Sequence, residues 1–370
     1  MPIQPSRRLS QYGCLECDER HVKRYSLPRS AKFRYMTSTI MINSPSTPSA
    51  TSPSNYSDAI DLAGTPNTQD LELTLQWCTA TYRSIATSTS VEKTWQAVIP
   101  QEAIAHPFLT HGLMALSALH VASTGDDHSK EEYITTAQSH YNKAVCGFEK
   151  AVKTLNKSTC DAVFAMCHID LVYSFALPLT MQSSNNNPID NLCHILTHIQ
   201  TSSPTITATN NSITKDNPLN PLSPRPPSSH DARMPNTSQL AITALTRLNN
   251  TLSTQDPSHP ASTYTTTITH LASSLETLLH SSNNEETPLS TMQWTYHVPA
   301  AFLALVRSRR PFALVLLAHY AVILHAMRAS WWVGEWGERI IRECGLALGG
   351  EWRGACGWVV DATGVFVNLP

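Results

Sequence analysis

Apolar residues recur along most of this chain at intervals of three and four, the period of a helix with one buried face. From Asp70, the residues Leu71, Leu75, Cys78, Tyr82 and Ile85 fall on one such face. Pro107 suits the first turn of a second helix, where its missing N–H is not needed, and lines up Leu109, Leu113, Leu116 and His120. Ser129 followed by Glu132 has capping-box spacing and predicts a third helix with the stripe Tyr133, Ala137, Tyr141, Val145, Phe148, Val152 and Leu155. A fourth is expected to follow Ser158 and end near Pro178. Periodicity resumes at Leu240, Leu245, Leu248 and Leu252, and again at Tyr264, Ile268, Leu271, Leu275 and Leu278. The longest apolar stretch, Pro311 to Met327, is short for a membrane span and carries His319 and His325, so it is expected to be a buried core helix. Beyond it, the last part holds five of the eight tryptophans, from Trp331 to Trp358. No alternating strand pattern interrupts these helices, so the expected fold is all-α, a helical bundle.

Two polar stretches break the pattern. Thr37 to Thr68 is rich in Ser, Thr, Pro and Asn and too poor in large apolar groups to offset the entropy of ordering it, which predicts a linker over 37–69. Between about 182 and 236 the composition shifts the same way, including the run Pro218 to Pro227, and a disordered insertion is expected there. The chain thus divides into an N-terminal segment 1–36, the linker, and a helical domain over 70–370 that carries the insertion.

At 370 residues and 41% apolar composition the chain can bury at least one sizeable core. A formal net charge of -2 gives no global attraction to nucleic acid or to an anionic membrane, so any such binding must be local. One local patch exists: residues 1–36 hold Arg7, Arg8, Arg20, Lys23, Arg24, Arg29, Lys32 and Arg34 against Glu16, Asp18 and Glu19. The nine cysteines form no closely spaced framework and no apolar leader precedes them, which points to an intracellular, reducing compartment.

Within the basic segment, Cys14 and Cys17 stand two residues apart and are followed by Arg20, His21, Val22, Lys23 and Arg24. Two thiolates at this spacing can grip one tetrahedral metal, and metal binding can supply folding energy to a segment too small for a core. The segment Gly13 to Arg24 resembles the opening half of the fungal binuclear zinc cluster, in which six cysteines share two zinc ions. The resemblance implies that Cys14 and Cys17 are zinc ligands. It also implies that Arg20, His21, Lys23 and Arg24 lie on a short helix that meets DNA in the major groove. Arg24 stands where that family has its third cysteine, and no further cysteine follows before Cys78, so four of the six ligands are missing. The departure has two explanations, a decayed finger or an exon boundary that removes its second half.

A second resemblance covers most of Asp70 to Leu369. It is carried by "LELTLQWCTATYRSI", "HPFLTHGLMALSALHVAS", "CDAVFAMCHIDLVYSFALP", "RRPFALVLLAHYAVILH" and "WWVGEWGERII", in that order along the chain. These stretches are similar to the regulatory domain of fungal transcription factors of the sterol uptake control protein type. That implies an all-helical domain with a hydrophobic small-molecule effector pocket in sterol-responsive members, control of secondary-metabolite gene clusters in others, and a nuclear protein that works on DNA with the transcription machinery. Val360-Asp361 replaces a Trp-Pro pair common in that family.

Other chemistry is thin. Cys193, His194 and His198 lie close together, but an i, i+4 histidine pair without a fourth ligand reads as ordinary surface and core. Asp126-Asp127 and Glu285-Glu286 read as solvated charges in turns. There is no phosphate-binding glycine loop and no nucleophile elbow, so an enzyme is not expected. Against the DNA-binding regulator stands a finger-less regulator that binds a hydrophobic effector or a protein partner. A helical repeat scaffold, suggested by the Tyr133, Ala137, Tyr141 spacing, lacks a fixed period.

Overall fold

The computed structural model describes residues 68–86, 88–125, 127–181, 187–223, 236–281, 292 and 294–365. The chain divides into residues 1–63 and 64–370, and every described residue belongs to the second unit. All of its regular elements are helical, with no strand among the described residues, as the periodicity predicts. Helix α1 spans Thr68–Gln76 and runs through a π turn, Trp77–Thr81, into Tyr82–Ser84. Helix α2, Thr89–Lys93, passes through a second π turn, Thr94–Val98, into α3, Ile99–Ala105. Then come α4 (Pro107–Thr124), α5 (Asp127–Lys153) and α6 (Cys160–Thr180). Helices α7 (Pro188–Asn210), α8 (Asn236–Gln255) and α9 (Ala261–Ser281) follow. The chain continues through α10 (Ala300–Arg307), α11 (Pro311–Ala326), α12 (Trp336–Ala347) and α13 (Gly357–Thr363).

Helices α4 and α5 form a hairpin along which α4 also packs on α6, and α11 pairs with α12 in the same way near the other end of the sequence. Helices α6 and α11 are buried on nearly every side, because their sequences are apolar all round rather than striped. The expected core helix Pro311 to Met327 is therefore α11. Among the described residues one helix, α6, is long and apolar enough to cross a membrane; most of it is packed inside the protein, and it carries Asp161 and Asp170. It is read as a core helix. The close approach of α12 to α11 depends on Gly337, where a Cβ would stand 2.3 Å from the backbone nitrogen of His325. No side chain fits there.

The face of α1 differs from the expected one. Leu71 and Leu75 are 59% and 62% exposed and Cys78 is also exposed, whereas Leu73, Trp77 and Thr81 are buried. Apolar residues occupy both interleaved rows, and the π turn inserts an extra residue that carries the buried row on to Tyr82 and Ile85. In α5, Ala137, His140, Ala144 and Ala151 face the core, while Val145, Phe148 and Val152 are only half-buried and Leu155 is exposed. The helix begins at Asp127, so Ser129 lies within its first turn rather than capping it. Helix α6 runs through Pro178 to Thr180, since so late a proline disturbs little of the ladder and Phe175, Ala176 and Thr180 are buried.

The largest correction falls on the expected disordered insertion at about 182–236. Residues 188–210 form α7, and Asn220–Leu222 adds a 3-10 turn. Ile189, Leu192, Cys193, Leu196, Ile199 and Ile206 are buried along one side of α7, a spacing that the Ser, Thr and Asn on its other side obscure. Asn187 caps the helix by accepting from the backbone N–H of Ile189 at 3.0 Å, and Pro188 occupies its first turn. Threonine hydroxyls on α7 return to carbonyls four residues back, as from Thr197 to Cys193 at 2.7 Å and from Thr207 to Ser203 at 2.8 Å. Helix α7 packs against α6 on one side and against α10 and α12 on the other. The segment expected to be loose thus joins α6 to α10 and α12.

Candidate functional site

A half-open cleft of about 260 Å³ lies where α5, α6 and α7 meet. Its apolar floor comes from the half-buried row of α5, Val145, Phe148 and Val152, together with Met166 of α6. At one end stand Asp170 of α6 and His198 of α7, and Glu149, Lys153, Thr201, Ser202 and Thr205 complete the wall. The floor exists because α5 buries its alanines, Ala137, Ala144 and Ala151, and leaves Val145, Phe148 and Val152 half-buried, with Phe148 also in contact with Phe108 of α4.

Asp170 is 7% exposed near the middle of a mostly apolar helix. Burying a carboxylate is costly unless donors meet it. Two do: the Tyr141 hydroxyl donates to Oδ1, and His198 Nε2 lies 2.8 Å from the same atom, with the Tyr141 oxygen 3.2 Å from the imidazole. Oδ2 accepts from no described residue. Tyr141 is held in place by stacking on Tyr173, with ring centroids 3.8 Å apart and planes at 6°. The hydrogen bond to Asp170 raises the pKa of His198, against a smaller opposing effect of burial. Burial and the neighbouring carboxylate push the Tyr141 hydroxyl far above its usual range, so it stays a donor. Among the described residues no hydroxyl other than that of Tyr141 bonds to the His198 ring, so no activated nucleophile is assembled here.

Cys14, Cys17, Arg20, His21, Lys23 and Arg24 lie outside the described residues. The group Cys193, His194 and His198 is spread over different faces of α7: Cys193 is buried in the core, His194 is exposed and His198 turns to Asp170. Near the C-terminus, Val360 and Asp361 lie within α13, and Gly364, with φ of 68°, closes it by donating to the Val360 carbonyl at 2.8 Å. Sequence reasoning placed Tyr141 in a helical stripe and set His198 aside as a metal ligand, but missed Asp170, which joins them. The available signal was Asp170, a carboxylate with apolar neighbours on both sides well inside the run Ala162 to Pro178.

Residues 76–186 match the family model of the fungal specific transcription factor domain. Sterol uptake control protein 2 of Saccharomyces cerevisiae is 30% identical to this chain over 141 residues, which is 37% of this chain and 14% of that protein. The family match runs from the end of α1 to just before α7, so two walls of the cleft lie inside it and the third, α7, lies beyond it. Over residues 76–186, therefore, this chain is similar to the fungal specific transcription factor domain, and the likeness extends over that part of the chain.

Proposed function

We propose that the chain is a fungal transcription regulator acting in the nucleus, with a helical body that governs an N-terminal DNA-contacting segment. The observation that supports this reading is the match of residues 76–186 to a transcription factor domain, set in an all-helical bundle. In this reading Arg20, His21, Lys23 and Arg24 meet phosphates and bases, and the body engages the transcription machinery. The chain is then a regulator and not an enzyme. Zinc is proposed at Cys14 and Cys17 alone, and two thiolates cannot close a tetrahedral site, so fewer than two zinc ions per chain are expected. Control by sterol, or of a secondary-metabolite gene cluster, is the finer form of the proposal, suggested by the likeness to a sterol uptake control protein.

A second reading is favoured by Arg24, which stands where the zinc-cluster family has its third cysteine: a finger-less regulator that acts through an effector or a protein partner without touching DNA. One experiment separates the two. The full chain, with zinc added, is used to select duplexes from a random pool, and the selected and scrambled duplexes are titrated against salt. Sequence-selective binding that survives moderate salt supports the DNA-binding regulator. Weak binding that ignores sequence and disappears with salt leaves only a basic tail and supports the finger-less reading.

A further inference from the structure

We infer that the cleft between α5, α6 and α7 binds a compact amphipathic molecule, its apolar body on Val145, Phe148, Val152 and Met166 and its terminal hydroxyl or ammonium donating to Oδ2 of Asp170. The inference deepens the reading of the helical body as a regulatory domain and rests on it for physiological meaning; the binding itself rests on the geometry.

Three observations carry it. First, a nine-tenths-buried carboxylate spends its acceptor capacity unevenly: both of its protein donors go to Oδ1, and Oδ2 receives none. An ionised carboxylate can accept about four hydrogen bonds, so Asp170 meets the cleft with acceptor capacity to spare. Second, the floor is a row of valine and phenylalanine side chains that stay only half-buried, so although Phe148 also meets Phe108 of α4 at 6.4 Å between ring centroids, the row still presents apolar surface to the cleft. An apolar wall with one convergent polar group is the usual make-up of a small-molecule site. Third, size and charge narrow the class. About 260 Å³ is below the range of roughly 300–1,000 Å³ that holds drug-sized ligands, which selects a compact body. The acceptor at the end rejects anionic heads, and the wall adds one charge of each sign, Glu149 and Lys153, which gives no field to reverse that choice.

Both structural partners of Asp170 come from other helices, Tyr141 from α5 and His198 from α7. A donor on Oδ2 would therefore add to a junction of three helices, one of which, α7, also packs on α10 and α12. Occupancy of the cleft is expected to tighten that junction, as any ligand bound to the folded state does.

The test uses the purified full chain and three probes of matched shape: 2-phenylethanol, 2-phenylethylamine and ethylbenzene, the last lacking a donor. Binding is read by ligand-observed NMR. At least one donor-headed probe is expected to bind at least tenfold more tightly than ethylbenzene. Val152→Trp, which fills the cleft from α5, and Thr205→Trp, which fills it from α7, should each abolish binding. Asp170→Asn should weaken the amine more than the alcohol. Binding of the alcohol alone assigns a neutral donor and binding of the amine alone a cationic one; either supports the site. Equal binding of ethylbenzene, binding that persists in both tryptophan variants, or no binding of either donor-headed probe at millimolar concentration overturns it. The thermal unfolding of each variant is recorded, and with two blocking variants on different helices a loss of fold in one leaves the other to decide. Failure to find a DNA target would leave this result unchanged, so the two proposals fail separately.

Discussion

The guanidinium of Arg309 donates to Oδ2 of Asp190 at 2.8 Å and so ties the turn between α10 and α11 to the first turn of α7. It also donates to Oδ1 of Asn187 at 3.2 Å, the atom that caps α7, while Arg307 bonds the Cys193 carbonyl and the Thr197 hydroxyl one turn further along. Arg309 does this from a left-handed backbone conformation, φ 52°, which costs a residue with a Cβ about 1–2 kcal/mol.

Substitution at Arg309 should separate these two effects. Arg309→Ala keeps the backbone cost and loses the ties to α7, whereas Arg309→Gly loses the same ties and relieves the backbone. The glycine variant should therefore be the more stable of the two by about 1 kcal/mol, read from urea midpoints. The ion pair is partly exposed and by itself contributes little, so equal losses in both variants would mean that the backbone conformation carries no cost.

Gly337 is expected to tolerate nothing larger. A Cβ there meets the backbone of His325, which cannot move without shifting α11, so Gly337→Ala should cost about 3 kcal/mol or more. Gly354, with nothing within 4 Å of its would-be Cβ, is the control, and Gly354→Ala should change the unfolding midpoint little. A similar effect at both positions would contradict the close packing of α11 and α12.

The register of α1 can be checked by two changes of similar chemistry. Leu73 is fully buried, so Leu73→Ala should cost about 2–5 kcal/mol. Replacing Leu71 and Leu75 together by serine should cost well under that, because both already face solvent. If the double variant proved the more damaging, the row read from periodicity would be the buried one after all.

Stability should fall on acidification through a defined window. His168 and His319 are 3% and 1% exposed, each with Nδ1 on the carbonyl of its own helix four residues back, Phe164 at 2.9 Å and Val315 at 2.8 Å. Burial pushes the pKa of both from 6.5 down to about 4. Above pH 6.5 both are neutral whether the chain is folded or not. Between 6.5 and about 4 the unfolded chain takes up the proton and the folded chain does not, so stability is lost as the pH falls, by about 3 kcal/mol per histidine at the low end. His198 works the other way: its pKa is raised by Asp170, so its contribution is full below pH 6.5 and is lost as the pH rises through its folded value. Urea midpoints across this range should show the fall, and His319→Phe should make it shallower. An unchanged slope in that variant would count against a buried neutral His319.

Much of the fold is legible in the sequence for a simple reason. Helices α4, α9 and α11 bury stripes or whole surfaces that stand out against their flanks, and Leu109, Leu113 and Leu116, or Tyr264, Ile268, Leu271 and Leu275, are in the core as their spacing requires. In α7 the apolar row is just as regular, from Ile189 through Leu196 to Ile206, but the average composition around it is that of a loop. Composition was the wrong guide there. What orders such a segment is the set of partners that cover its one apolar side, and besides the preceding α6 those lie on α10 and α12, far away in sequence.

The sequence by itself determined that this chain builds a helical bundle and that residues 76–186 are similar to a fungal specific transcription factor domain, because helix period and family motifs are local properties of contiguous residues. Which row of α1 turns inward depends on one inserted residue in a π turn, and whether residues 188–210 fold depends on distant helices and on Arg307 and Arg309. Asp170, Tyr141 and His198 meet only because α5, α6 and α7 pack side by side, at sequence separations of 29 and 28 between Asp170 and its partners. A site made of side chains from three helices is fixed by crossing angles and close packing, which tertiary contacts set and no local pattern records.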